Sequence, residues 1–212
     1  MSLSPDIERD HALVLKAQQS PEAFGLIFDL YYSKILSYAL KRVGDAEAAQ
    51  DITAETFSNA FKNIKRFSWR GVPLSAWLYR IAGNEIKMHF RRPRKTVSLE
   101  VLAEAGFDRA SELQEERELL QELVERDQEF AHVMKALRAM PLRYQEAITL
   151  RYIEEKEFNE IALILSCREG TARSLVSRGL TKLRELMSAS LQQKSSERII
   201  GNEGRSVLSI LK

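Results

Sequence analysis

The 212-residue chain has one cysteine, Cys167, and three scattered histidines, His11, His89 and His132. A lone cysteine cannot close an internal disulfide, and no metal-ligand spacing joins it to the histidines, so disulfide and zinc scaffolds are excluded. Five prolines and nine glycines are few for this length. With Leu, Ala, Glu, Lys and Arg abundant, that scarcity favours helix over sheet. Apolar runs stop at five residues, as in Ile161 to Leu165; a membrane helix needs about 20 and a signal peptide about 7–15 behind a basic start. The expectation is an all-α cytoplasmic protein with no membrane contact. The sequence also offers no phosphate-cradling glycine loop and no clustered nucleophile, base or paired catalytic carboxylates. It reads as a protein without enzymatic chemistry, cofactor or metal.

Charge of one sign is scarce overall, since 32 basic residues nearly balance 30 acidic ones. Along the chain the balance disappears. Residues 100–129 hold eleven acids against Arg109, Arg117 and Arg126, a net −8, and the remainder therefore carries +10. Lys87, Arg91, Arg92, Arg94 and Lys95 precede the acidic stretch, and Arg168, Arg173, Arg178, Lys182 and Arg184 follow it. Two cationic faces around an anionic connector point to two contacts on one polyanion. The same arrangement suggests that the acidic stretch, or the apolar Val207 to Leu211 patch, folds back to restrain binding.

Helical periodicity divides the chain into two small domains. Ser20-Pro21-Glu22 reads as a capped helix start, followed by Phe24, Ile27, Phe28, Tyr31, Ile35 and Tyr38 on one face. Gly44 ends that helix and Asp45 caps the next. The second helix turns Ala49, Ile52, Thr56, Phe57, Ala60, Phe61 and Ile64 inward and Glu47, Asp51 and Glu55 outward. A turn-rich loop, Phe67 to Pro73, leads to a third helix with Trp77, Leu78, Ile81 and Ala82 on its buried side. The expected divisions are 1–95, an acidic and partly helical linker 96–130, 131–188, and a tail 189–212. In the second domain Val133, Leu137 and Met140 lead to Pro141, and Ala147 to Tyr152 read as a helix.

Phe158, Ile161, Ala162 and Leu165 then fall at i, i+3, i+4 and i+7. Ser166-Cys167-Arg168 makes a turn, and the helix from Glu169 to about Met187 buries Ala172, Val176 and Leu183. Thr171, Arg173, Ser174, Ser177, Arg178 and Lys182 point outward. This is a helix-turn-helix with a basic reading face, in which Arg can bond guanine bidentately and Ser or Thr can serve bases or phosphates.

Three segments together resemble the extracytoplasmic-function (ECF) branch of bacterial RNA polymerase sigma factors, in the family's order and spacing. DAEAAQDITAETF, Asp45 to Phe57, is similar to its core-polymerase-binding helix. AWLYRIAGNEIKMHFRR, Ala76 to Arg92, resembles its promoter-melting helix. Met140 to Leu165 and REGTARSL, Arg168 to Leu175, resemble its C-terminal helix-turn-helix. The resemblance implies that Asp45, Glu47, Asp51 and Glu55 meet the clamp helices of the polymerase largest subunit. It implies that the Phe67 to Pro73 loop, with Phe67, Trp69 and Arg70, captures a flipped minus-ten base, an aromatic face replacing lost stacking; the alternative use of Phe67 and Trp69 is as core. Lys87, Arg91 and Arg92 would hold the separated strand. Arg168, Thr171, Arg173, Ser174, Ser177, Arg178 and Lys182 would read the minus-thirty-five duplex. Implied partners are RNA polymerase core, promoter DNA as duplex and melted strand, and an anti-sigma protein.

Three positions depart from the family pattern, and Gly179 sits inside a helix at a small-residue position. Ser166 stands where Gly is usual, implying about 1 kcal/mol of left-handed strain. Arg168 replaces a capping Ser or Thr. Leu175 replaces an Arg on the reading face, available to a thymine methyl or to protein. Gly179 costs about 1 kcal/mol against Ala but admits a close neighbour. The competing class is a helix-turn-helix regulator that binds duplex DNA without joining the polymerase; a pure interaction protein leaves both basic faces unexplained. Cys167, between two packed helices, reads as a small core residue rather than a redox switch.

Overall fold

The computed structural model describes residues 5–69, 72–91 and 128–210, and all regular structure among them is helical. The elements are α1 (Pro5–Gln19), α2 (Phe24–Val43), α3 (Ala46–Ile64), α4 (Leu74–Arg91), α5 (Gln128–Arg138), α6 (Leu142–Ile148), a π-helical stretch Thr149–Ile153, α7 (Phe158–Leu165) and α8 (Glu169–Ile210). Arg70, Gly71, the linker from Arg92 to Asp127 and the side chains of the Val207 to Leu211 patch lie outside the described residues.

The apolar stripe expected of α2 is buried from Phe24 through Tyr38. Its edges form an aromatic cluster in which Phe28 lies 4.9 Å from both Tyr32 and Phe57. Gly44 closes α2 in the left-handed region at φ 73°, and its N–H donates to the Leu40 carbonyl. Asp45 then caps α3, its carboxylate accepting from Ala48 N–H at 2.8 Å. Inside α3, the buried Thr53 and Thr56 hydroxyls donate to the carbonyls of Ala49 and Ile52, which satisfies them where no water reaches.

The N-terminal end of α2 differs from its sequence reading. Ser20 does not cap a helix; its hydroxyl donates to the Glu22 carboxylate, and Pro21–Ala23 forms a 3₁₀ turn before α2 begins at Phe24. Nor does the sequence reading assign an element to α1, whose Val14 and Ala17 join the core.

In the C-terminal half Met134, Leu137, Met140, Ala147, Ile148 and Val176 form their own cluster. A capping box between Glu157 and Glu160 starts α7. Ser166 ends it in the left-handed region at φ 53°, as its departure from glycine predicts, with Cys167 N–H donating to Ala162 O at 2.9 Å. At Gly179 a Cβ would lie 2.9 Å from Ile148 Cγ1, so its missing side chain lets α8 approach α6 closely. The α8 backbone runs on to Ile210, past the expected end near Met187.

The two helical domains share a seam. One apolar cluster runs from the N-terminal helices into Leu150, Ile161, Ala162, Ile164 and Ala172, and α4 packs against α7. Alongside it lies a polar network that no local periodicity announces. Arg42, fully buried, donates from Nε and Nη2 to Gln145 Oε1, each at 3.2 Å, and from Nη1 to the Tyr38 hydroxyl. Glu154 accepts from the Tyr79 hydroxyl at 2.6 Å and pairs with Lys41 at 3.3 Å. Burial, and then the charge of Glu154, push the Tyr79 hydroxyl well above the usual tyrosine range, so it remains the donor.

Candidate polymerase and nucleic-acid interfaces

The second helix of the helix-turn-helix presents the expected face. Arg168, Thr171, Arg173, Ser174, Ser177, Arg178 and Lys182 are all exposed, while Ala172 and Val176 are buried. Arg173 is already oriented: Glu169 Oε1 accepts from its Nε and Nη2, and its guanidinium lies 4.3 Å from the Phe158 ring centroid. Arg151 approaches the same ring at 5.0 Å, so Phe158 carries a cation from each flanking segment. Lys182 pairs with Glu185 at 2.9 Å. Leu175, half-buried beside this face, packs against the second cluster, as do Phe130, Leu180 and Leu183. Cys167 packs against the first cluster, and burial raises its thiol above the usual range, which favours the protonated form.

The loop between α3 and α4 brings aromatic rings together. Phe67 lies 4.4 Å from Trp77 and 6.3 Å, edge-on, from Trp69. Trp69 stacks on His11 of α1 at 5.0 Å with planes 22° apart, and both are half-buried. Its indole N–H is buried without an acceptor among the described residues. Phe67 and Trp69 are thus partly core and partly surface, between the two uses the sequence leaves open. Arg70 lies outside the described residues.

The strand-holding cations expected on α4 are treated differently by the fold. Arg91 is exposed at the last residue of the helix. Arg92 lies outside the described residues. Lys87 faces the other domain, with its ammonium 2.8 Å from Glu146 Oε2 and Glu146 only 1% exposed. The other oxygen, Glu146 Oε1, is 3.8 Å from Arg42 Nη1. Glycine at 83 makes room for that carboxylate, because a Cβ there would clash with it. Sequence reasoning missed Glu146 and Gln145, since polar residues in a helix are expected on solvent faces.

The acidic face of α3 forms as expected. Glu47, Asp51 and Glu55 recur at i, i+4 and i+8, Glu47 exposed and the other two half-buried. Partial burial, and after it the neighbouring Glu47, raise the Asp51 carboxyl above its ordinary value, with His89 of α4 opposing. Asp45, at the end of this face, also caps the helix.

A helix-turn-helix whose second helix is rimmed by cations defines a DNA-binding protein, here joined to a helical unit with one acidic surface. Residues 27–96 match the model for Sigma-70 region 2, and residues 131–183 that for Sigma-70, region 4. The chain is 32% identical over 188 residues to the RNA polymerase sigma-H factor of Pseudomonas aeruginosa, covering 87% of this chain and 95% of that protein. It is 32% identical over 185 residues to the ECF RNA polymerase sigma factor BldN of Streptomyces coelicolor, covering 86% and 67%. Among solved structures, CnrH in complex with the cytosolic domain of CnrY aligns with a TM-score of 0.59 at 23% identity, over 85% of this chain and 97% of that one, a likeness of fold. The chain belongs to the ECF RNA polymerase sigma factors.

Proposed function

We propose that this sigma factor distributes promoter recognition over four surfaces, working by binding energy alone and without covalent chemistry. The acidic face of Asp45, Glu47, Asp51 and Glu55 docks on the clamp helices of the polymerase largest subunit. The Phe67 to Pro73 loop, with Trp69 and Arg70, receives a base flipped from the minus-ten element. Arg91 and Arg92 hold the melted strand by its phosphates, joined by Lys87 when a phosphate replaces Glu146 as its partner. Arg168, Thr171, Arg173, Ser174, Ser177, Arg178 and Lys182 meet the minus-thirty-five duplex, phosphate contacts positioning the helix and base contacts specifying the sequence. In this reading the divisions 1–95 and 131–188 are the two promoter-contacting domains, and the protein works in the cytoplasm, at the nucleoid when polymerase-bound.

The carrying observation is the separation of charge: an acidic α3 face on one helix and an exposed basic α8 face on another. A regulator acting on duplex DNA alone has no use for the acidic face, whereas a protein bridging polymerase and promoter needs both. Competitive binding to bacterial core polymerase against a housekeeping sigma factor tests the proposal. Displacement that is lost on charge reversal at Asp51 and Glu55 supports it; displacement unaffected by those reversals removes the acidic face from the assignment.

A further inference from the structure

Helix α1 lies wholly before residue 27, where the match to Sigma-70 region 2 begins. Three of its side chains nevertheless reach the loop between α3 and α4, one at each end and one in the middle. Gln18 Nε2 donates to the carbonyls of Ile64, at 3.1 Å, and Phe67, at 2.7 Å, where α3 gives way to the loop. The His11 ring stacks on Trp69. Asp10, 2% exposed, accepts through Oδ2 from the backbone N–H of Leu74, the first residue of α4, at 2.9 Å. Its Oδ1 accepts from the Tyr31 hydroxyl at 2.7 Å, which anchors the carboxylate to α2. Gln18 lies seven residues from His11 and eight from Asp10, so all three contacts fall within about 100° on one side of a single helix.

We infer that α1 is the positioning element for the base-capturing loop, with Gln18, His11 and Asp10 as its positioning residues. The inference rests on the proposal that this loop receives a minus-ten base. A loop that must hold an aromatic ring ready for a flipped base is effective only if the ring's pose is fixed beforehand, and side chains on a regular element fix it better than the loop's own backbone. Asp10 also supplies an acceptor and a negative charge to a helix N-terminus from a distant residue, which ties the start of α4 to α1. Gln18 adds a second donor to the Ile64 carbonyl, which also accepts from Phe67 N–H at 3.0 Å, and supplies a donor to the Phe67 carbonyl in the loop beyond α3.

The test uses the full chain assembled with core polymerase and a DNA library whose unpaired window is randomised. Enrichment of bases in that window is read for the parent and for Gln18→Ala, His11→Ala, His11→Phe and Trp69→Ala. A second library, fully duplex, reports on α8. In the free protein, acrylamide quenching of Trp69 is read in a Trp77→Phe background. Gln18→Ala and His11→Ala should each lower the preference for the favoured unpaired base by about five- to tenfold, the ratio that one or two net hydrogen bonds or ring contacts represent. Duplex enrichment should stay unchanged, Trp69 should become more open to quencher, and His11→Phe should retain both parental readouts. If folded Gln18→Ala and His11→Ala leave base preference and quenching as in the parent, the inference is overturned. An equal fall in both libraries also overturns it, since that marks general destabilisation. If Trp69→Ala itself leaves the preference intact, the failure belongs to the loop assignment, and the quenching result still reports separately whether α1 holds the ring.

Discussion

Arg42 and Gln145, 103 residues apart, bind each other reciprocally: two guanidinium nitrogens donate to the Gln145 side-chain oxygen, and the Gln145 amide donates back to the Arg42 carbonyl at 3.1 Å. Both are fully buried at the seam. Gln145→Ala strips one acceptor from a buried cation, leaving the Tyr38 hydroxyl and Glu146, and should lower the unfolding free energy by about 1.5–3 kcal/mol. Urea denaturation of the full chain measures this. Arg42→Met combined with Gln145→Leu should cost less than the two single changes added, because the pair is then removed together.

Glu146 pairs with Lys87 at 2.8 Å and so should compete with a DNA phosphate for its ammonium. Glu146→Gln should therefore release the ammonium and strengthen binding to single-stranded DNA at low salt severalfold. If Lys87 gains one phosphate, the slope of log affinity against log salt steepens by about 0.7. A salt titration by fluorescence anisotropy reads that slope, and adding Lys87→Ala should return it to the parental value. An unchanged slope in Glu146→Gln would count against competition for this lysine.

Asp51 should trade stability for polymerase contact. Its folded carboxyl holds a proton more tightly than in the unfolded chain, chiefly through burial. The resulting stabilisation is present below the unfolded value of about 3.9 and is lost as pH rises through the raised folded value. At neutral pH the charged carboxylate is thus a small liability. Asp51→Asn should melt at or above the parental temperature at pH 7, with the difference closing towards pH 3, while affinity for core polymerase falls. A lower melting temperature at pH 7 would contradict the electrostatic account.

On α8, Arg173→Ala and Arg178→Ala should each weaken duplex binding by about 1–3 kcal/mol if they contact bases bidentately, leaving core association intact. Glu169→Ala separates orientation from contact, because it removes the carboxylate holding Arg173 and leaves the Phe158 ring in place. Its effect on duplex affinity should be smaller than that of Arg173→Ala. Electrophoretic mobility shifts on a selected duplex provide the comparison.

The apolar periodicities of α2, α3, α4 and α7, the Gly44–Asp45 junction and the outward face of α8 were legible because each arises from spacing within one helix. The seam was not. Arg42, Gln145 and Glu146 are polar residues whose burial depends on partners more than 50 residues away, and nothing in local spacing distinguishes them from solvated ones. Asp10 and Gln18 were missed because their partners, 21 to 64 residues away, lie on α2, the end of α3, the loop and α4. For Leu175 the sequence leaves two uses open, and the packing of its side chain against the second apolar cluster favours contact with protein.

The π-helical stretch Thr149–Ile153 sets the angular phase of the chain on its C-terminal side. Its wide turn is closed by Glu154 N–H donating to Thr149 O at 3.0 Å, five residues back. Relative to an uninterrupted α-helix it accommodates one extra residue, equivalent to about 100° of rotation. Glu154, at its end, reaches Lys41 and Tyr79, and Arg151, within it, reaches the Phe158 ring. Deleting one residue here would let the backbone close into a regular helix with little loss of local hydrogen bonding, yet it would swing those side chains off their partners. A single-residue gap in this segment is thus a rotary adjustment of Arg151 and Glu154, the side chains that tie this stretch to α7 and to the first domain, made without substituting either.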